Sequence, residues 1–220
     1  MFFNKGGRHY WFAENLIKKA MKQPFFVPVQ GIIVVIGFLD DDLNKKGSFL
    51  DGVEVVGSFS EFNINDIENV NFIVAIGNNY IRSNLMSKII KLGGNLPTLI
   101  HPRATISPSS KIGKGVYVHA NSCIWTDVEL SDYTIISPNT VIAHHTKIGK
   151  GCFVSTQSAV GASVVVEDKV FIGMGATIVT GVKKIGKNTI IGAGATLITN
   201  AEESSVYVGV PAKKIRDIEK

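Results

Sequence analysis

Cysteine is scarce. Cys123 and Cys152 are the two in 220 residues, too few for a disulfide framework and in keeping with a reducing, cytoplasmic setting. No apolar run reaches the roughly 18 residues that a membrane-spanning helix needs, so no membrane insertion is expected. The first residues, MFFNKGGRHY, lack the hydrophobic core and small-residue cleavage site of a secretory signal. Charge is modest, 19% of residues with a net +5. No block of Lys and Arg marks a nucleic-acid arm, and the slight basic excess suits small anionic ligands or an ordinary basic surface equally well.

Two grammars divide what is present. Residues 1–97 read as a mixed α/β domain. Gln30 to Leu39 (QGIIVVIGFL) is apolar and β-branched, as a buried parallel strand should be, and ends in Asp40, Asp41 and Asp42. Val70 to Ile76 is a second apolar run, closed by Gly77, Asn78 and Asn79. Ile81, Leu85, Ile89 and Leu92 recur at helical spacing until Gly93-Gly94 stops them. A further helix is expected over Ala13 to Met21, after the Gly6-Gly7 turn. Strand, glycine turn, helix, strand is the βαβ order of a Rossmann-like fold. Acids just past a strand's C-terminal end stand where such sheets bind ligands.

From Pro97 onward the period changes to six. Every sixth residue from Ile100 is aliphatic: Ile106, Ile112, Val118, Ile124, Leu130, Ile136, Ile142, Ile148, Val154, Val160, Val166, Ile172 and Ile178. The phase slips by one residue near Lys183-Lys184 and resumes at Ile185, Ile191 and Leu197. Two residues before each aliphatic stands a small or β-branched residue, such as Ser122, Thr134, Thr140, Thr146, Cys152 or Ser158. Residues two apart on a strand share a face, so both columns point inward. A six-residue clock means a short strand and a corner, repeated into a solenoid whose stacked strands bury what no single one can. Neither a helix, with period 3.6, nor an antiparallel sheet keeps that clock. The expected layout is residues 1–97, a solenoid over 98–200 and a tail over 201–220.

This column of Ile-Gly with small partners resembles the hexapeptide-repeat acyltransferases, over Ile100 to Leu197. The N-terminal half narrows the resemblance. Gly6-Gly7-Arg8-His9, then Gly37 to Asp42, then Ala75-Ile76-Gly77-Asn78, then Leu99-Ile100-His101-Pro102 are similar, in that order, to the sialic-acid O-acetyltransferase and bacillosamine/perosamine N-acetyltransferase group. The resemblance implies a Rossmann-like domain that holds a nucleotide sugar, followed by a left-handed parallel β-helix, an exception to the usual crossover hand. It further implies a homotrimer with sites between neighbouring subunits and acetyl-CoA as co-substrate. No metal is expected, because of how the histidines are spaced. N-acetylation of a nucleotide-linked amino sugar for surface glycan biosynthesis is the leading expectation. O-acetylation of a sialic-acid-type sugar is the alternative, and a non-catalytic scaffold a third.

Acetyl transfer from a thioester needs a base, a stabilised oxyanion and aligned substrates. Histidine is the natural base near neutral pH. His144 follows inward Ile142 by two residues, which places it outward at a corner, and the resemblance puts the catalytic histidine there. The next residue in that group is usually an acid and here is His145, so His145 orients His144 itself or an acid such as Asp127 or Glu129 comes near. The resemblance assigns His9, Asp40, Asp41 and Gly77 to the nucleotide sugar. It assigns Phe153, Gly161, Ala162, Gly173, Met174 and Ala193 to acetyl-CoA. A zinc site built on His119, His144 and His145 is not expected, because these residues differ in corner position and do not repeat at one coil's spacing.

Overall fold

The structure, a computed structural model, describes residues 27–28, 35, 37–61 and 70–219. His9, the helix expected over Ala13 to Met21 and most of the strand expected before Phe38 lie outside the described residues. The chain divides into two compact units, Met1–Pro97 and Thr98–Lys220. Among the described residues no helix is long and apolar enough to cross a membrane.

In the first unit, strand β1 (Phe38–Leu39) runs parallel to β3 (Val53–Gly57), which pairs on its other side with antiparallel β2 (Phe49–Leu50). Phe38, Val53 and Val55 form the core of this sheet, with Val35 and Leu50 packed against them. The tight β2–β3 turn is made by Asp51 and Gly52, both at positive φ (48° and 83°), the backbone that a two-residue hairpin requires. Val70 to Ile76 has a strand's alternation, with Phe72, Val74 and Ile76 buried. Asn71 bridges Asn95, and Phe72 N–H donates to the Asn95 carbonyl at 2.8 Å.

Helix α1 (Asn79–Lys91) begins where the Asn78 side chain accepts from the N–H groups of Tyr80 and Ile81, satisfying two orphan donors of the first turn. It ends before Gly93, at φ 85°. The helix is where spacing foretold it, but its buried face is not the expected one. Leu85, Met86 and Ile89 are buried together with Arg82 and Ser83, whereas Ile81 is exposed. Ile81 sits in the capped first turn, and the buried Arg82 guanidinium takes the inward place beside it. Arg82 donates to the carbonyls of Ile76 (2.9 Å) and Gly77 (3.4 Å) and to Asn79 Oδ1 (2.9 Å).

The second unit is a three-sided parallel β-helix, the architecture expected from the six-residue clock. Its first face carries Leu99–Ile100, Tyr117–Val118, Ile135–Ile136, Phe153–Val154, Phe171–Ile172 and Ile190–Ile191. The second runs from Thr105–Ile106 through Cys123–Ile124, Val141–Ile142, Ala159–Val160 and Thr177–Ile178 to Thr196–Leu197. The third holds Lys111–Ile112, Glu129–Leu130, Lys147–Ile148, Val165–Val166 and Lys184–Ile185. Register pairs such as Glu129 with Lys147 and Ile136 with Val154 make these coils 18 residues, and the coil through residues 179–183 is one residue longer. The aliphatic of every strand points inward into one continuous core. Each such burial stabilises the fold by roughly 1.5–3 kcal/mol.

The small inward column does more than save space. Thr134, Thr140 and Thr146 donate their hydroxyls to the carbonyls of Gly149, Ser155 and Gly161 (2.9, 3.2 and 2.7 Å). Ser122 and Ser158 do the same to Ser137 and Gly173 (2.8 and 2.9 Å). In all five the acceptor lies 15 residues ahead: it is the corner carbonyl of the next coil, which the strand ladders do not reach. Cys152 occupies the same column, fully buried, with its thiol on the Glu167 carbonyl at 3.0 Å.

The one-residue slip is absorbed at the corner 179–183. Gly181 adopts φ 109°, Val182 tucks inward, and Lys184–Ile185 regains register with Val165–Val166. A hairpin of Ser205–Val208 and Lys213–Asp217 closes the first face, with Tyr207 and Ala212 joining the core.

Candidate active site

The corner between the second and third faces carries the reactive groups. In successive coils it reads Trp125-Thr126-Asp127, Ala143-His144-His145 and Gly161-Ala162-Ser163. The third residue of each corner is left-handed, with φ 55° at Asp127, 59° at His145 and 58° at Ser163. His145 N–H donates to the Thr126 carbonyl of the coil below (3.0 Å), and Ser163 N–H to that of His144 (3.0 Å). This stacking holds the backbone of both histidines while their side chains stand outward.

The two rings meet edge to face, with Nδ1 of His144 2.9 Å from Nδ1 of His145. The indole of Trp125 lies nearly parallel to the His144 ring, 29° between planes at 6.4 Å. On the far side His145 Nε2 is 3.5 Å from Asp127 Oδ2, an ion-pair distance that is long for a hydrogen bond. Of the two acids the sequence offered, Asp127 is therefore the one at the histidines. Glu129 belongs to the third face, where Lys147 (3.4 Å) and Lys111 (3.5 Å) pair with it and hold its carboxyl below the usual range.

The first unit gathers its own polar groups at strand ends. Asp40, just past β1, is buried and internally committed: Oδ1 accepts from Asp42 N–H (3.0 Å) and Oδ2 from Lys45 Nζ (2.7 Å). Asp41 is exposed. Partial burial pushes its carboxyl above the usual range and the neighbouring Asp40 adds to this, while the Phe59 backbone N–H and Lys88 oppose it. The Gly77 carbonyl accepts from Arg82.

Family models match both parts of the chain: the PglD N-terminal domain over residues 28–89 and the GMPPB C-terminal domain over residues 95–192. The structure is similar to that of PerB from Caulobacter crescentus, solved in complex with CoA and GDP-perosamine. The two chains are 31% identical with a TM-score of 0.80, over 97% of this chain and 95% of that one. The chain belongs to the perosamine/bacillosamine group of sugar N-acetyltransferases. The acetyltransferase domain of PglB from Neisseria gonorrhoeae is also similar, 27% identical over 97% of both chains with a TM-score of 0.65. A protein of Acanthamoeba polyphaga mimivirus is 35% identical over 116 residues, 52% of this chain, which spans 22% of that protein's length.

Within this sugar N-acetyltransferase the residues expected at acetyl-CoA fall into three places. Gly161 and Ala162 lie directly above Ala143 and His144, on the corner of the histidines. Gly173, Met174 and Ala193 lie on the corner between the first and second faces, where Met174 is exposed. Phe153 is on the outer side of the first face, buried and stacked on Phe171 at 5.4 Å. The glycines are there for space: a Cβ on Gly161 would come within 2.5 Å of Thr180 N, and one on Gly173 within 2.5 Å of Ala193 N.

The remaining described histidines sit apart. His101 and His119 occupy the corner after the first face, both buried. Burial pushes the His119 imidazole down to about 3, with His101 adding to it, and burial with Arg103 beside it lowers His101. No group of three His, Cys, Asp or Glu side chains among the described residues could hold a metal ion. Sequence reasoning missed Trp125 as a partner of His144. The 18-residue coil is the signal that finds such neighbours, since it sets residue 127 beneath 145 and residue 125 beneath 143.

Proposed function

We propose that this chain transfers the acetyl group of acetyl-CoA to the amine of a nucleotide-linked amino sugar, with His144 as general base. The observation that carries the reading is the exposed His144–His145 pair at a solenoid corner, in a chain whose whole length matches a GDP-perosamine-bound relative. The amine nitrogen attacks the thioester carbonyl carbon. Its proton passes to the outward nitrogen of His144, the C–S bond breaks, and the CoA thiolate takes that proton from the imidazolium. The base contributes about 10²–10⁴-fold in reactions of this kind.

The donor residues divide between two corners of one chain, which one subunit does not bring into a single groove. A cyclic homotrimer sets the Gly161–Ala162 corner of one subunit against the Gly173–Met174–Ala193 corner of the next, so each cleft draws on two chains. In the first unit, Asp41 is the carboxylate open to a nucleoside, since Asp40 is spent on Asp42 and Lys45. The setting is cytoplasmic, and the product feeds assembly of a surface glycan.

The test is acetyl-CoA with a panel of GDP-, UDP- and CMP-linked sugars, read by mass spectrometry for a gained acetyl group. An amino-sugar nucleotide should be acetylated and His144→Ala should lose turnover with its oligomeric state unchanged. Acetylation of hydroxyl-only sugars alone, or wild-type turnover in the variant, would reject the reading.

A further inference from the structure

Three side chains from two coils form one line: Asp127 Oδ2, 3.5 Å from His145 Nε2, and His145 Nδ1, 2.9 Å from His144 Nδ1. We propose that Asp127 is a positioning residue that acts through His145 to leave the Nε2 lone pair of His144 free. The inference rests on the reading of His144 as the base.

The argument is one of proton placement. Two Nδ1 atoms 2.9 Å apart share a hydrogen bond only if one carries the proton and the other does not. A carboxylate accepts and does not donate, so Asp127 favours the proton of His145 on Nε2. His145 Nδ1 is then bare and accepts from Nδ1–H of His144. A neutral His144 that carries its proton on Nδ1 has a lone pair on Nε2, which is what a base needs. In the opposite arrangement His145 donates from Nδ1, its bare Nε2 faces the carboxylate, and His144 holds its proton on Nε2 with nothing left to accept one. Asp127 thus decides between a working and a blocked tautomer without touching the substrate. When Nε2 of His144 takes the amine proton, the resulting cation still donates from Nδ1 to His145, and the Asp127 charge lies at the far end of the same line.

Backbone geometry supports the pairing. Asp127 and His145 occupy the same left-handed corner position one coil apart, at φ 55° and 59°. Asp127 N–H is fixed in turn by Ser109 Oγ at 3.0 Å. The other acid near the third face, Glu129, is held by Lys111 and Lys147.

The variants Asp127→Ala and Asp127→Asn in the full chain separate this role from a structural one. Asparagine suits the left-handed corner and alanine does not, so the Asn protein should be the more stable. Its amide, however, is uncharged and offers an NH2 as well as an oxygen, so it no longer fixes the proton on His145 Nε2. Turnover should fall about 10-fold or more in both variants, with the KM for acetyl-CoA unchanged. Histidine 15N shifts should report the Nδ1–H form of His144 in the wild type and a mixture with the Nε2–H form in both variants. Unchanged tautomers, or wild-type turnover in the Asn variant, would overturn the inference. Should His144→Ala retain turnover, the proposed function fails, and the tautomer readout still judges the Asp127 line by itself.

Discussion

Replacing His119 by glutamine should flatten the acid side of the stability profile by an amount that the structure sets. His119 is 3% exposed, and burial depresses its imidazole from 6.5 to about 3. An unfolded chain binds a proton at this residue below about pH 6.5 while the folded chain does not until near pH 3. Stability is therefore fully present above the upper value and drains away as pH falls through the window between the two. Each pH unit inside that window costs about 1.4 kcal/mol, so lowering the pH from about 7 to 5 removes roughly 2 kcal/mol through His119 alone. With a urea m-value near 2 kcal/mol per molar, the midpoint should drop by about 1 M in the wild type beyond any drop in the variant. Glutamine keeps an amide near the position of Nε2 and does not titrate, so the variant subtracts the proton uptake with little change of shape. Urea melts at both pH values, for wild type and His119→Gln, make the measurement. Parallel pH dependence in the two proteins would refute the assignment of a buried, neutral imidazole.

Other changes test other levels of the fold. Ile142→Ala removes a fully buried side chain beneath the histidine corner and should cost about 2–5 kcal/mol in denaturant melts. Gly161→Ala places a Cβ 2.5 Å from Thr180 N and 2.8 Å from the Val179 carbonyl carbon. It should lower stability by about 1–3 kcal/mol, and, since Gly161 adjoins the histidine corner, should raise the KM for acetyl-CoA more than that for the sugar. Asp41→Asn should raise the KM for the nucleotide sugar about 10-fold or more, the worth of one charge-assisted hydrogen bond. It should leave the KM for acetyl-CoA and the melting temperature near their wild-type values, which steady-state kinetics and thermal melts check.

The β-helix was legible because its information is local and repeated. Ile124, Ile136 and Ile148 face inward for a reason each six-residue window states afresh. The corner chemistry was half legible. The outward setting of His144 followed from Ile142, but its neighbours belong to other coils, and only the 18-residue register puts Asp127 under His145 and Trp125 against His144. The hydroxyl bonds to carbonyls 15 residues ahead were likewise invisible in a column read as merely small. In the first unit, periodicity found α1 but misjudged Ile81, because one buried guanidinium outweighs an aliphatic repeat when strand-end carbonyls need donors. The β2–β3 hairpin went unread although Asp51-Gly52 is a strong turn signal; β2 has only two residues, and Val56 breaks the polar–apolar alternation of β3 in the sequence.

The corner at residues 179–183 takes one more residue than its counterparts, yet the strands on either side keep their pairing. The solenoid keeps step by strands and not by residue number. A peptide spliced between Gly181 and Val182 should therefore ride as a passenger two coils above the reactive imidazole while the neighbouring coils stay in step. The same splice between Lys147 and Ile148 would turn an aliphatic out toward water.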